Sequence, residues 1–164
     1  MAEKKAKDFN KMLRDSKDMP KIETVTDPGT IKRNGGERMV IAPPADYDEL
    51  MKKVPEGKVV TVPQIRKTLA RRYSADFTCP LTAGIFISIA AQASEQRGVD
   101  KTPYWRTLKA EGELNEKYPG GVGGQKEKLE AEGHSIAQRG RTKIRMFVEN
   151  YEDALYDIDK DEKE

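Results

Sequence analysis

Few side chains in this chain can do covalent chemistry. Cys79 is its only thiol and His134 its only imidazole. A thiol becomes a nucleophile only as a thiolate with a base beside it. Cys79 precedes Pro80 with no histidine close by and reads as a small buried hydrophobe. His134, directly after Gly133, reads as a surface residue at a helix cap. One cysteine and one histidine cannot build a Cys/His zinc site, and a lone cysteine cannot form an internal disulfide. Glycines 120, 121, 123 and 124 look like a phosphate loop, yet no strand precedes them and no Gly-Lys-Ser/Thr follows. The expectation is therefore no catalytic residue, no metal and no cofactor.

Cations and aromatics remain. Lys58 to Tyr73 holds five cations and no anion, among them Arg66, Lys67, Arg71 and Arg72. His134 to Val148 holds Arg139, Arg141, Lys143 and Arg145, again with no anion. Such clusters suit a polyanion, phosphate backbone above all. The net charge of +2 conceals them, because Glu149 to Glu164 has eight acids against two lysines, leaving eight net positive charges on the body. A second constellation is Pro103-Tyr104-Trp105-Arg106, with Tyr118 and Glu132 downstream. Its aromatics could pack as anchors or line a ligand pocket, and Arg106 could brace the loop against Glu132 or meet a phosphate.

What must position these residues is one modest domain. At 164 residues, 36% hydrophobic and 35% charged, with mean hydropathy −0.81, the chain fits a single core with solvated ends. No stretch approaches the length of a bilayer span, and the lysine-rich Met1 to Lys7 lacks the apolar region of a secretory signal. A cytoplasmic monomer without membrane contact is expected.

Residues 1–36 read as a partly ordered extension, with a short amphipathic helix around Phe9, Met12 and Leu13 and then a linker, Lys21 to Gly36. Arg38 to Ala42 reads as a strand stopped by Pro43. Asp46 could cap a helix that buries Tyr47, Leu50, Met51 and Val54. Thr61 caps the next, with Ile65 and Leu69 inward and the cations mostly to solvent. Leu81 to Gln92, apolar nearly all round, predicts a central helix buried on most sides, ended by Gly98. Lys101 to Gly124 reads as a long ordered loop, Gln125 to Glu132 as a helix with Gly133 as its left-handed stop. Ser135 to Val148 reads as a hairpin with a cationic tip. Beyond it, 149–164 is expected to be a short helix through Tyr151, Leu155 and Ile158 and a disordered acidic tail. The order predicts a mostly α fold with a small β component, a winged helix-turn-helix over 37–148.

Four spaced motifs carry a resemblance: Val54-Pro55-Glu56-Gly57-Lys58-Val59-Val60-Thr61, Pro103-Tyr104-Trp105-Arg106, Tyr118-Pro119-Gly120-Gly121 and Leu129-Glu130-Ala131-Glu132-Gly133. From about Tyr47 to His134 the chain resembles the DNA-binding domain of the alkylguanine-DNA alkyltransferase family. That family takes an alkyl group from a flipped guanine onto the cysteine of a Pro-Cys-His-Arg motif. Here Tyr104 and Trp105 stand at the cysteine and histidine positions. A phenol with an ordinary pKa near ~10 and an indole that only donates cannot replace them. The resemblance then implies an alkyltransferase-like member, binding double-stranded DNA without repairing it and able to sense alkylated guanine. Its pocket would be Pro103, Tyr104, Trp105, Arg106, Tyr118 and Glu132. The family's base-flipping arginine and tyrosine are missing: Thr82 to Phe86 has no cation, and Val62 follows Thr61. Two rival readings are a repurposed fold that binds a protein or small ligand through the Tyr104-Trp105 loop, and an enzyme using Cys79. The acidic tail is further expected to compete with DNA for the basic faces.

Overall fold

The computed structural model describes residues 7–163, so the features expected of Met1 to Ala6 lie outside the described residues. Helices dominate, with three small sheets among the described residues. Helix α1 (Phe9–Arg14) starts where the Asp8 carboxylate accepts the Lys11 N–H, and it buries Leu13. It is docked: Asn10 donates to the Ala93 carbonyl at 3.0 Å.

The stretch read as a linker is structured. Strand β1 (Lys21–Thr24) pairs antiparallel with β2 (Arg38–Ile41), joined by α2 (Pro28–Asn34). The stop and start signals were local. Asp27 caps the Thr30 N–H, Pro28 occupies the first turn, and Gly35 takes φ 80° at the end. Helix α3 (Pro44–Lys52) buries Tyr47, Leu50 and Met51, with Val54 just beyond. Asp46 is not its cap; Pro43 holds that position, and the Asp46 carboxylate instead accepts the Tyr73 hydroxyl.

Strand β3 (Val60–Thr61) leads into α4 (Val62–Arg72), where Gln64 Oε1 closes a capping box on the Thr61 N–H at 2.8 Å. Ile65 and Leu69, one turn apart, enter the core, each worth roughly 1.5–3 kcal/mol of burial. Strand β4 (Phe77–Thr78) adds to β2 in parallel. Helix α5 (Pro80–Arg97) is the centre of the larger core and packs against α1, α3 and α4. Burial on most sides holds only in part, because Leu81 is 72% and Ile85 48% exposed. Gly98, at φ 68°, ends it.

A 3-10 turn at Tyr104–Arg106 precedes β5 (Thr107–Leu108), which pairs with β3. Helix α6 (Gly121–Ala131) begins four residues earlier than expected, since Gly120 supplies the left-handed entry and the glycines continue into the helix. Gly133 follows it at φ 96°. Strands β6 (Ile136–Arg139) and β7 (Arg145–Val148) form the hairpin. A smaller core of Val59, Leu108, Leu114, Leu129 and Val148 lies beneath it, and Trp105 packs against both cores.

The C-terminal expectation is corrected. Tyr151–Ala154 is a 3-10 turn, and a helix α7 (Ile158–Lys163) lies where a disordered tail was expected. Ile158 is 1% exposed, Tyr156 N–H donates to the Val59 carbonyl at 2.8 Å, and Gln64 donates to the Tyr156 carbonyl. One apolar anchor, one backbone bond to Val59 and one side-chain bond from Gln64 of α4 hold this acidic piece in place.

Candidate nucleic-acid interface

Three open grooves adjoin one another. The first, about 550 Å³, runs between α2, α4 and β4 and is lined by Arg33, Arg66, Lys67 and Arg71 with Asp76. The second, about 340 Å³, lies at the start of α5 and is lined by Arg66, Lys109 and Lys117 with Glu116. The third, about 600 Å³, separates the Lys109–Glu116 loop from the hairpin strand and is lined by Lys109, Lys143 and Arg145 with Glu113 and Glu116. Pro63 and Arg66 belong to the first and second, Lys109 and Glu116 to the second and third. The grooves thus form one arc from α2 to the hairpin.

Within the arc the cations differ in freedom. Arg66 Nε and Nη2 donate to the Thr78 carbonyl at 3.2 and 2.9 Å, and the Thr78 hydroxyl returns a bond to the Arg66 carbonyl. This bracket ties α4 to β4. The guanidinium is therefore half-buried and partly committed, not turned freely to solvent. Arg145 Nε meets Glu113 Oε2 at 2.7 Å, and that hydrogen bond holds the Glu113 carboxyl below the usual range. Lys109 lies 3.4 Å from Glu116. Arg33, Lys67, Lys117 and Lys143 have no carboxylate within ion-pair distance among the described residues. Arg141 is exposed at the hairpin turn, and Arg139 lies 4.9 Å over the Phe147 ring.

The solvent-facing reading of Arg71 and Arg72 needs correction. Arg71 Nε meets Asp159 Oδ1 and Arg72 Nε meets Glu162 Oε1, each at 2.7 Å, both partners on α7. Arg72 also lies 3.2 Å from Glu49 and 3.6 Å from Asp46, and it lines none of the three grooves. Burial pushes the Asp46 carboxyl up despite Tyr73 and Arg72, while burial and Asp46 push the Tyr73 phenol up to about 12. Residues that sequence reasoning missed are Arg33, Lys109 and Lys117. Arg33 lay in the supposed linker, and the two lysines have glutamates near them in sequence, so no local excess of charge marked them.

Pro103, Tyr104, Trp105, Arg106, Tyr118 and Glu132 do come together, as a packed cluster. Tyr104 makes edge contacts with Trp105 and Tyr118, ring centres 5.4 and 5.3 Å away. Each is an edge-to-face packing geometry. The Tyr118 hydroxyl donates to the Thr107 carbonyl, and the Tyr104 hydroxyl donates to Glu95 at 2.8 Å. Burial, then Glu95, raises the Tyr104 phenol far above its ordinary value, so it stays protonated and is no thiolate substitute. Arg106 makes a bidentate pair with Glu132 and donates to the Val54 carbonyl at 2.8 Å; Trp105 Nε1 also donates to Glu132 at 3.0 Å. Burial alone would raise the Glu132 carboxyl, but Arg106 and Trp105 outweigh it and hold it low. Arg106 is thus a strut between the two cores. Only an edge of Tyr104 reaches an open groove, shared with Glu95, Pro119, Gly120 and Glu127. Cys79 is buried at the start of α5. His134 is half-buried, and burial lowers its pKa.

No family model matches the chain, and no curated protein does. Two solved structures are similar to it. One is S. pombe Atl1 in complex with damaged DNA containing O6-carboxymethylguanine, with TM-score 0.47 and 22% identity. The other is S. pombe ATL in complex with DNA, with TM-score 0.46 and 20% identity. Each similarity covers 69% of this chain and 93% of the other.

Proposed function

We propose that this chain is an alkyltransferase-like protein that grips duplex DNA and does no covalent chemistry on it. In this reading α4 and α5 are the helix pair of a winged helix-turn-helix and the β6–β7 hairpin is the wing. The observation that carries it is the continuity of the three cationic grooves through Arg66 and Lys109. A curved row of guanidinium and ammonium groups across helix and hairpin matches a phosphate backbone better than any compact anion. Support for the non-reactive part comes from the Tyr104-Trp105 replacement and from the burial of Cys79. The mutual packing of Tyr104, Trp105 and Tyr118 disfavours a protein or small ligand held in their loop.

Arg33, Lys67, Lys117, Arg139, Arg141 and Lys143 offer six cations outside any ion pair with a described carboxylate. Neutralising six phosphates gives a slope of log affinity against log salt of about −5. The test is a salt-resolved titration of plain and alkylguanine duplexes. A slope near that value supports DNA binding, and tighter binding of the alkylated duplex at one salt supports sensing of alkylated guanine. Affinity that ignores salt, or no binding at low salt, refutes the reading.

A further inference from the structure

Strand β1 lies at the edge of its sheet: the order is β1-β2-β4, so one side of β1 has no strand beside it among the described residues. Its inward and outward backbone groups can be told apart. Val25 N–H donates to the Glu37 carbonyl at 2.8 Å, extending the β1–β2 register by one pair, and by the two-residue alternation Glu23 and Lys21 also bond inward to β2. Ile22 and Thr24 therefore aim their N–H and C=O groups away from the sheet, where no other described segment bonds them. The Ile22 side chain stands beside its register partner Val40, which is 0% exposed, yet Ile22 itself is 38% exposed. The apolar interior thus ends at the sheet edge with one side chain uncovered. On the opposite face Lys21 and Glu23 lie 3.7 Å apart, both in contact with solvent.

We propose that this edge is a homodimer contact, in which β1 pairs antiparallel with β1 of a second copy about a two-fold axis at Ile22 and joins the two sheets into one. Charge decides both the partner and the register. With the two Ile22 residues opposite each other, Lys21 faces the partner's Glu23 and Glu23 faces the partner's Lys21, two opposite-charge pairs directly across the seam. Centring the pairing on Lys21 or on Glu23 sets like charges opposite each other, and centring it on Thr24 sets Glu23 opposite Val25 and Ile22 opposite Thr26. The favoured register also joins the outward groups: the two Ile22 residues exchange N–H···O=C bonds, and Thr24 donates to the partner's Pro20 carbonyl. Pro20 has no N–H to return, so the ladder ends there. The two Ile22 side chains then cover each other. A lone lysine blunts a sheet edge against such pairing, but an acid two residues on turns the repulsion into a match. An isologous contact of this kind closes at two copies. No β1 residue lines the three cationic grooves, so each protomer keeps its arc open. Two four-residue strands bury less than the ~1,000 Å² of a stable interface, so the dimer forms reversibly, at protein concentrations on the order of 0.1 mM. The monomer expected from the sequence is its dilute form.

The test is sedimentation velocity of the full chain, without DNA, from about 10 μM to about 1 mM, where wild type is expected to pass from monomer to dimer. Over the same range the Ile22 and Thr24 amides should gain protection from hydrogen exchange, while the Lys21 and Glu23 amides, bonded to β2 throughout, stay protected. Lys21→Glu and Glu23→Lys each put like charges across the seam, so each alone should dimerise about tenfold more weakly than wild type. Mixed in equal amounts, the two variants face opposite charges again and should form a heterodimer matching the wild-type affinity to within about threefold. Recovery on mixing cannot come from a change in the stability of either fold. Wild type that stays monomeric at every concentration overturns the proposal, as do variants that fail to pair when mixed. A dimer unaffected by the charge variants overturns it too, and loss of that dimer in Leu81→Ala/Ile85→Ala would assign the contact to the exposed start of α5. Because no nucleic acid is present, these outcomes are independent of the DNA-binding reading.

Discussion

Neutralising two acids of α7 without removing the helix should tighten DNA binding. Asp159 and Glu162 hold Arg71 and Arg72 at 2.7 Å, and Arg71 also lines the first groove. In Asp159→Asn/Glu162→Gln the Ile158 anchor remains, but the guanidinium groups lose the two α7 carboxylates that hold them. If both become available to phosphate, the slope of log affinity against log salt steepens from about −5 to about −7. Affinity near 0.1 M salt then rises on the order of tenfold. Arg72 keeps Asp46 and Glu49 nearby, so Arg71 supplies the larger share. The cost to stability stays at about 1 kcal/mol, because these pairs are partly exposed and screened. Fluorescence anisotropy of a labelled duplex across a salt series measures the slope, and thermal unfolding checks the fold. Asp18→Asn/Glu23→Gln, on and beside β1, controls for the same change in net charge. An unchanged slope in a folded α7 variant, or an equal gain in the control, refutes the reasoning that α7 occupies phosphate sites.

Four further outcomes are expected. Lys67→Ala and Lys143→Ala should each lessen the salt slope by about 1 with little change in unfolding, whereas Arg72→Ala should leave the slope alone; the same titrations decide. Arg106→Met strands a buried Glu132 carboxylate and should cost about 3 kcal/mol, read as a shift in urea midpoint. Because the folded Glu132 pKa is depressed, its stabilisation is present above the ordinary glutamate value near ~4.3 and is lost as pH falls through the lower folded value. Glu132→Gln should therefore flatten the acid side of a urea midpoint against pH profile, and an unaltered profile would contradict that assignment. Buried Cys79 should gain no mass after incubation with alkylguanine DNA; a stoichiometric adduct in the mass spectrum would restore an enzymatic reading.

Local rules carried much of the architecture. Ile65 and Leu69 recur at helical spacing, Gln64 caps Thr61, and Gly98 and Gly133 stop helices, so these elements were legible from neighbours along the chain. The same rules were present at Asp27, Pro28 and Gly35, where a lack of large apolar residues hid a helix capped at both ends. The sequence by itself also determined the chemistry lacking in the Pro103–Arg106 motif, because a tyrosine and a tryptophan cannot act as a thiolate and its base at any geometry. Which cations are free was decided only by tertiary structure. Arg71 and Arg72 pair with residues about ninety positions away, Arg66 is bracketed to Thr78, and Arg106 is closed on Glu132. Charge acts through space and not along the chain, so a cluster of arginines in sequence does not reveal where their carboxylates will fold. For the same reason the exposed side of α5 stayed hidden: its composition is apolar all round, and only the packing of α1, α3 and α4 against it shows that Leu81 and Ile85 were left out of the core.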